Sequence, residues 1–253
     1  MPRNNEEIGG MRMFSDFHTH ILPCVDDGSR SIEQSLEMLR RCRKMGIRHV
    51  VLTPHFYADR DHPNRFLVRR SRAFAVLQEA AEGEEFPSLI PGAEVHYFPN
   101  MGSSEVLRKL TIGDSHYILV EMPMCRWKDR MLRDLEMIRV NQGLTPIIAH
   151  LDRYLTPFNA GRILRQVAQL PVMVQVNGEF FMERRTARLA LRMLARGQIH
   201  LVGSDCHNLT ERKPNLGPVR ELIRSKLGVN PLKRIAYYEQ RVIGGNKEDE
   251  KTP

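Results

Sequence analysis

The sequence predicts an α/β fold in which parallel strands form one closed or nearly closed barrel. Seven short apolar runs recur along the 253 residues, and a stretch with helical periodicity follows each of them. No segment has the composition of a linker between two domains. The elements are therefore assigned to one parallel sheet that is buried on both faces by helices.

The strands are predicted where the apolar runs lie, and the first helix is the one with the clearest ends. Ser31 and Gln34 have the spacing of a capping box, and Gly46 is placed to end this helix. The predicted strands are 13–18, 49–53, 88–95, 117–122, 145–150, 172–177 and 199–205.

The remaining helices follow the strands in order, and their lengths differ. The stretch 66–82 is long and rich in arginine, whereas 104–110 is short. In 127–141 the side chains of Leu132, Leu135 and Ile138 fall on one face. The last three helices are predicted at 160–170, 184–195 and 219–227.

These elements define one domain over residues 13–243. Residues 1–12 are polar and are predicted to be a flexible N-terminus. Residues 244–253 read GGNKEDEKTP, a composition typical of a disordered tail. The composition gives no indication of the oligomeric state.

Charge and cysteine content restrict the compartment and the partners. A net charge of +8 favours anionic partners such as phosphates or acidic peptides, although a basic solvated surface would have the same composition. No apolar run approaches the roughly 20 residues of a membrane span, and no secretory segment is recognisable. Four cysteines at irregular spacing indicate reduced thiols. The prediction is a cytoplasmic protein that is not a membrane protein.

Histidines and carboxylates lie at the carboxyl ends of six of the seven predicted strands. In a parallel barrel these ends form one rim, which is where active sites are placed. A single histidine at a strand end is usually structural, and an isolated His-x-His pair decides nothing. A metal cluster explains histidines and carboxylates at the ends of six strands much better than independent coincidences at each strand would. The residues concerned are His18, His20, His55, Glu94, Glu121, His150, Asp205 and His207.

The residue types narrow the choice of metal. Imidazole and carboxylate ligands without thiolate suit manganese, zinc or iron. Glu121 lies inside an apolar strand, where an unpaired buried carboxylate would be costly, so it needs a cation or a hydrogen-bond donor. A carboxylate such as Glu94 can bridge two ions, an arrangement that is common in phosphoryl-transfer sites.

The motifs HTHILPCVDDGS, TPH, PGAEV, ILVEMP, IIAHLDRY and GSDCHN occur in this order over roughly residues 16–216. Together they resemble the polymerase and histidinol phosphatase (PHP) superfamily. Within it, the first and last two motifs are similar to the manganese-dependent tyrosine-protein phosphatases of bacterial capsule and exopolysaccharide loci. The resemblance implies a distorted barrel of seven βα units, a single-domain TIM-like PHP fold, with three divalent metal ions. Manganese is expected, with zinc or iron as alternatives.

The resemblance also implies roles for individual residues. His18, His20, Glu94 and Asp205 would bind one ion. The other two ligand sets are Glu94, Glu121 and His150 for the second ion, and Asp27, His55 and His207 for the third.

Arg153 and Arg212 match the arginines that are expected to bind the substrate phosphate, a task that suits planar guanidinium groups. The resemblance is incomplete at two motifs, HLDRY and VNGEFF. Neither departure removes a ligand or an arginine, but both affect the predicted shape of the substrate mouth.

The implied activity is hydrolysis of phosphotyrosine by a water that the metal ions activate. The implied substrate is a phosphotyrosine protein, in particular a membrane-associated bacterial tyrosine kinase that regulates capsule or exopolysaccharide synthesis. No nucleic acid is expected.

Four alternatives to this function are weighed at the level of the sequence. Histidinol-phosphate or another small phosphomonoester could be the substrate, and a nuclease-like phosphodiesterase is the third reading. Tyr57 and the arginines of 65–72 are the only indication of a nucleic-acid track, and a solvated helix face accounts for those arginines better. Cys24 and Arg30 fit the C-x5-R pattern of cysteine-dependent phosphatases, but Asp26 and Asp27 would place two negative charges in the anion site. A catalytically idle metal-binding protein is disfavoured because no proposed ligand is missing.

Overall fold

The computed structural model describes residues 14–244. The segment 1–12, predicted to be a flexible terminus, lies outside these residues, and so does the predicted tail apart from Gly244. None of the helices described between residues 14 and 244 combines the length and the apolar character needed to cross a bilayer.

All strand pairs are parallel, as the alternation of strands and helices predicts. Within the described residues the strands form two hydrogen-bonded groups, β1-β2-β4 and β3-β5-β6-β7-β8-β9. The strands are β1 Ser15–Thr19, β2 His49–Leu52, β3 His55–Phe56, β4 Ser88–Pro91, β5 Glu94–His96, β6 Tyr117–Glu121, β7 Thr145–Ile148, β8 Met173–Asn177 and β9 Leu201–Gly203.

The division into two groups arises because β2 and β4 each end before a short break, after which the chain continues as β3 and β5. Strand β3 lies beyond the predicted strand 49–53, whereas β4 and β5 divide the predicted strand 88–95. Pro54 lies between β2 and β3 and lacks the N–H that would donate to the neighbouring strand. Pairing then resumes in the same register, because His49 pairs with Ser88 before the break and His55 pairs with Glu94 after it. The two parts of each interrupted strand therefore keep the same neighbour across the break.

The curled sheet closes between its last and first strands at the carboxyl ends. The N–H of Asp205 donates to the carbonyl of His18 at 2.7 Å, and the N–H of His20 donates to the carbonyl of Cys206 at 2.9 Å. Thr19 and Cys206 form a parallel bridge between these hydrogen bonds. The predicted distorted barrel is therefore confirmed.

The helices follow the predicted order, with three differences. The predicted helix 104–110 consists of 3-10 turns at Met101–Ser103 and Glu105–Lys109. The short helix α5 precedes α6, and the last helix, α8, was not predicted. The helices are α1 Ile32–Lys44, α2 Pro63–Ala80, α3 Asp129–Gln142, α4 Ala160–Val167, α5 Glu179–Met182, α6 Ala187–Ala195, α7 Leu216–Leu227 and α8 Asn230–Ile243.

The apolar core has two parts, one inside the barrel and one between the sheet and the helices. The interior cluster takes alternate residues from the strands, among them Phe17, Leu119, Ile147 and Leu201, and packs against Val242 of α8. Glu239 of the same helix hydrogen-bonds to Ser15 at the start of β1. Helix α8 therefore covers the amino-terminal end of the barrel and leaves the carboxyl-terminal rim open.

Candidate metal centre and active site

The pairing of β1 changes register between Asp16 and Thr19, where the candidate site begins. Phe17 belongs to the barrel interior, yet the next residue, His18, also reaches inward and contacts Gln175 of β8. A bulge explains how two consecutive side chains point to one side. The backbone of Gly203 passes so close that a Cβ there would lie 2.5 Å from the Cβ of His18.

All nine residues predicted to bind metal lie together at the carboxyl-terminal rim. Three combinations bring side-chain nitrogen and oxygen atoms of eight of them within 4.8 Å of one another, and His150 joins the cluster through its contact with Glu94. Most of the side chains are buried, whereas Asp27 is 65% exposed. The combinations are His18, His20 and Asp205; His55, Glu94 and Glu121; and His20, Asp27, His55 and His207.

The first combination has the spacing expected around a cation. The Nε2 atoms of His18 and His20 lie 3.1 Å apart. Glu94 Oε2 is 3.3 Å from His18 Nε2, and Asp205 Oδ1 is 3.4 Å from His20 Nε2. Two ligands that each lie about 2.1 Å from one ion, at right angles, are about 3 Å apart.

Glu94 connects the other candidate ligands. Its Oε1 lies 2.8 Å from His150 Nε2, and its Oε2 lies 2.8 Å from His55 Nδ1. His150 Nε2 is also 3.5 Å from Glu121 Oε1. The resemblance assigns His55 to the third ion with Asp27, whereas the structure places it against both Asp27 and Glu94.

Three histidines are oriented by neighbours that hold the nitrogen facing away from the cluster. His20 Nδ1 donates to Asp26 Oδ2 at 2.6 Å, and His18 Nδ1 donates to Gln175 Oε1 at 3.2 Å. His207 Nδ1 donates to the carbonyl of Asp205 at 3.0 Å. Each ring therefore directs Nε2 into the site, as metal-binding histidines do.

Two buried atoms inside the cluster test whether the residues fit a metal. Glu94 Oε2 and His207 Nε2 have no hydrogen-bond partner. Glu94 Oε2 is close to His55 Nδ1, but the two lack hydrogen-bond geometry. Buried polar atoms without a partner are costly, and cations bound in the cluster would satisfy both atoms. The donor set of imidazole and carboxylate fits divalent transition metals.

Electrostatics keep the carboxylates of the cluster ionised at neutral pH. Burial alone raises the pKa of Asp205, but the charge of His18 and a hydrogen bond from His20 lower it well below its usual range. For Glu121, burial is likewise opposed by hydrogen bonds from His150 and His96, which lower its pKa to about 2.

The histidines divide into two classes by pKa. Burial and the charge of His20 lower the pKa of His207 to about 4. For His20, burial is outweighed by hydrogen bonds to Asp205 and Asp26, and its pKa is raised to about 10. A metal ion competes with the proton for such a nitrogen, so metal binding to this site releases protons.

The two predicted phosphate-binding arginines converge on one candidate ligand. Arg153 follows His150 in a 3-10 turn, and its guanidinium contacts Asp205 Oδ2. Arg212 Nη2 donates to Asp205 Oδ1 at 2.8 Å. The loop that carries Arg212 is fixed because its carbonyl accepts from the N–H of His207 at 2.8 Å. Both side chains are partly exposed, so they line the rim.

Two of the candidate ligands have a backbone conformation that only glycine adopts freely. The φ angles of His150 and Asp205 are 31° and 53°. Such positive φ values cost free energy in other residues and concentrate at functional sites.

Cys24 does not form an anion-binding loop with Arg30. Its thiol donates to the carbonyl of Arg30 at 3.0 Å, and the N–H of Ser29 donates to the carbonyl of His20. Asp26, in the middle of this loop, supports His20. The loop serves the histidine cluster, and the structure gives the C-x5-R pattern no role of its own.

Sequence reasoning missed several residues around the cluster. Asp26 and Gln175 position histidines, and His96 Nδ1 lies 2.9 Å from Glu121 Oε2. The ring of Tyr57 lies 5.3 Å from the rings of both His55 and His96. A signal was available for His96, which lies two residues after Glu94 in the same strand.

Comparison with known proteins identifies relatives over nearly the whole described chain. A sequence profile described as "Capsular polysaccharide synthesis, CpsB/CapC" matches residues 14–243. The tyrosine-protein phosphatase CpsB of Streptococcus pneumoniae is 30% identical over 241 residues, which cover 90% of this chain and 97% of that protein.

Solved structures share the fold. A chain from the crystal structures of YwqE from Bacillus subtilis and CpsB from Streptococcus pneumoniae, described as unique metal-dependent tyrosine phosphatases, superposes with a TM-score of 0.80. It is 24% identical, and the match covers 92% of this chain and 95% of that one. The histidinol phosphate phosphatase of Lactococcus lactis, complexed with zinc, L-histidinol and phosphate, gives 0.52 at 15% identity, over 85% and 93% of the two chains.

Proposed function

The chain belongs to the CpsB/CapC family of capsular polysaccharide synthesis proteins, and we propose that it is a metal-dependent tyrosine-protein phosphatase in capsule synthesis. The observation that supports this chemistry is that eight histidines and carboxylates form metal-sized groups at one rim, with His150 against Glu94 and with buried ligand atoms that lack a hydrogen-bond partner. Two arginines at the same rim supply the positive charge that a phosphate ester needs.

Three divalent ions, manganese foremost, would be held by the residues that the sequence predicted. The proposed sets are His18, His20, Glu94 and Asp205; Glu94, Glu121 and His150; and Asp27, His55 and His207, with His20 close to the third set. Divalent ions in such a site supply Lewis acidity and lower the pKa of water. Manganese is chosen on the family resemblance, and zinc or iron would suit the same donors.

The remaining residues of the site position groups for the reaction. Arg153 and Arg212 already bind the two oxygens of one carboxylate, so their guanidinium groups are oriented to bind the oxygens of a phosphate at the same place. Asp26 and Gln175 fix the rings of His20 and His18. Such positioning residues make the ligand geometry independent of the substrate.

The proposed substrate is a phosphotyrosine protein, and a membrane-associated bacterial tyrosine kinase remains the expected partner. The name of the Streptococcus pneumoniae relative supports the tyrosine specificity. A cytoplasmic location is part of the proposal, and it agrees with four cysteines that are all free thiols within the described chain.

The test begins with protein stripped of metal by a chelator and then resupplied with manganese. We expect hydrolysis of a phosphotyrosine peptide to disappear and return, and Cys24→Ser to behave as the native protein does. Histidinol phosphate assayed in parallel should be the poorer substrate. Full activity in chelator would refute the metal mechanism, whereas preference for histidinol phosphate would overturn only the substrate.

A further inference from the structure

A cleft of about 530 Å³ opens directly beside the candidate metal centre. Asp27 and His55, two proposed ligands, form part of its wall. Another part of its wall comes from the loop after β3 and from α2 and contains Arg60, Arg65 and Arg69. The volume is within the range of ligand-binding pockets. The cleft therefore has room for groups that flank a phosphate bound at the centre.

The arginines of this cleft are neutralised to different degrees. Arg69 donates to Asp61 Oδ2 at 2.6 Å, so its charge is balanced inside the cleft. Arg60 lies 3.8 Å from Asp59, but both side chains are 74% exposed, and solvent screens such a pair. Arg65 is exposed and has no ion pair within the described residues. Arg60 and Arg65 thus supply the positive charge that a ligand can use.

The position of Arg65 is unfavourable for helix α2 itself. It lies in the first turn, which contains no acidic residue. A cation at that end of a helix opposes the helix dipole. The stability of the helix therefore does not explain this arginine, whereas a negatively charged ligand in the cleft would.

We propose that this cleft binds an anionic group next to the phosphotyrosine of the substrate, and so selects acidic phosphopeptides. The inference rests on the proposed tyrosine phosphatase function. The anionic group is a carboxylate or a second phosphate, both of which guanidinium groups bind well. Tyr57 lies between the centre and the arginines, with its ring 5.3 Å from that of His55 and 5.0 Å from the guanidinium carbon of Arg60.

The same features fit a nucleic acid less well. Tracks for single strands combine basic groups with successive aromatic side chains on which bases stack. Tyr57 is the one aromatic residue among the described residues that line the cleft. Arg70, the next arginine along α2, donates to the carbonyl of Gly92 at 2.8 Å and does not extend the basic wall.

The experiment compares manganese-loaded native protein with the double variant Arg60→Ala/Arg65→Ala on three phosphotyrosine peptides. The first has neutral neighbours, the second has glutamates beside the phosphotyrosine, and the third has a second phosphotyrosine there. The matched control, Arg188→Ala/Arg224→Ala, removes two exposed arginines that do not line the cleft.

We expect the native protein to prefer an acidic peptide, and the cleft variant to lower the ratio of kcat/KM for acidic over neutral peptide about five- to tenfold. The control should leave this ratio unchanged. High salt should reduce the native preference. The peptide that loses more, carboxylate or phosphate, identifies the anionic group.

Two kinds of failure are distinguishable. If the native protein hydrolyses the neutral peptide but shows no acidic preference, or if both double variants behave alike, the cleft proposal is wrong and the proposed function stands. If no peptide is hydrolysed with manganese, the proposed function is wrong, and the cleft proposal that rests on it is wrong as well. Competition by a single-stranded oligonucleotide that only the cleft variant weakens, with an unchanged peptide ratio, would make the cleft a nucleic-acid site.

Discussion

The carboxylate of Asp26 accepts a hydrogen bond from His20 Nδ1 at 2.6 Å and from the N–H groups of Gly28 and His55 at 3.0 Å each. Asp26 thereby fixes the ring of His20 and the backbone of His55, both of which are candidate ligands. Burial opposes ionisation, but the hydrogen bond and the charge of His20 hold the pKa of Asp26 well below its usual range. Asp26 therefore remains an anion that orients the site.

Asp26→Asn should weaken metal binding. The amide has one oxygen instead of two and no charge, so it cannot hold His20 and both N–H groups in the same way. We expect the metal affinity to fall about 10- to 100-fold. Calorimetric titration of the stripped protein with manganese measures this, and excess manganese should recover much of the phosphatase activity. Asp114→Asn, at an exposed turn, is the control, and an affinity equal to that of the control would contradict the role of Asp26.

The residue types and the strand ends were enough to predict which candidate ligands lie together. They did not predict which neighbouring residues orient those ligands. His18 and His20 are recognisable because they are two apart at the end of an apolar strand. Gln175 carries no such pattern, and it meets His18 only because β8 and β1 curl around the same barrel. The left-handed backbone of His150 and Asp205 is also a property of the closed fold, and no local sequence signal predicts it.

Helix α1 begins at the loop that carries Asp26 and Asp27. Ser31 Oγ accepts from the N–H of Gln34 at 3.2 Å, which confirms the predicted N-cap. In return, Gln34 Oε1 accepts a hydrogen bond from the N–H of Arg30 at 2.8 Å, one residue earlier than in a standard capping box. These two hydrogen bonds therefore fix the start of α1 to the end of the loop that carries Asp26 and Asp27.

Ser31→Ala should destabilise the protein by about 1 kcal/mol, because the first turn of α1 loses its side-chain acceptor. Urea denaturation of the metal-free protein measures the change in the free energy of unfolding. Ser31→Asp restores an acceptor at the cap and should recover most of the loss. If Ser31→Asp is as unstable as Ser31→Ala, the serine acts through something other than the cap.

The elements that sequence reasoning placed least well have identifiable physical causes. The predicted strand 49–53 stops before Pro54, whereas in the structure strand pairing resumes after it as β3, because the proline removes one ladder hydrogen bond but leaves the register unchanged. Helix α8 was missed although Pro231 lies in its first turn and Ile235 and Val242 are seven residues apart. Glu239 interrupts that apolar face. Its burial is explained by the hydrogen bond from the N–H of Ser15, which forms only when α8 packs against β1.

At the scale of the whole molecule, α8 closes one end of the barrel while the other end holds the site. Glu239 is buried there, its Oε1 accepts from the N–H of Ser15 at 3.0 Å, and Ser15 Oγ lies 3.4 Å from Oε2. Burial raises the pKa of Glu239 to about 8, and no cation compensates its charge among the groups that shift it. The folded protein therefore favours the neutral acid near pH 7.

A raised carboxyl pKa has a defined effect on stability. Between the unfolded pKa, about 4.3, and the folded value of about 8, the folded state holds a proton that the unfolded state has lost. The free energy of unfolding consequently falls as the pH rises through this window, and the loss is complete above it. Below the window, both states are protonated and Glu239 imposes no penalty.

Glu239→Gln should remove this dependence, because the amide imitates the neutral acid: its oxygen accepts from the N–H of Ser15 and its nitrogen donates to Ser15 Oγ. We expect equal stability of the two proteins near pH 4.5 and an advantage for the variant that grows to a few kcal/mol by pH 8.5. Urea denaturation across this range, with chelator present throughout so that metal binding does not contribute, measures the difference. Parallel curves would mean that Glu239 ionises freely in the folded protein, and that α8 is not held against β1 by a neutral carboxyl group.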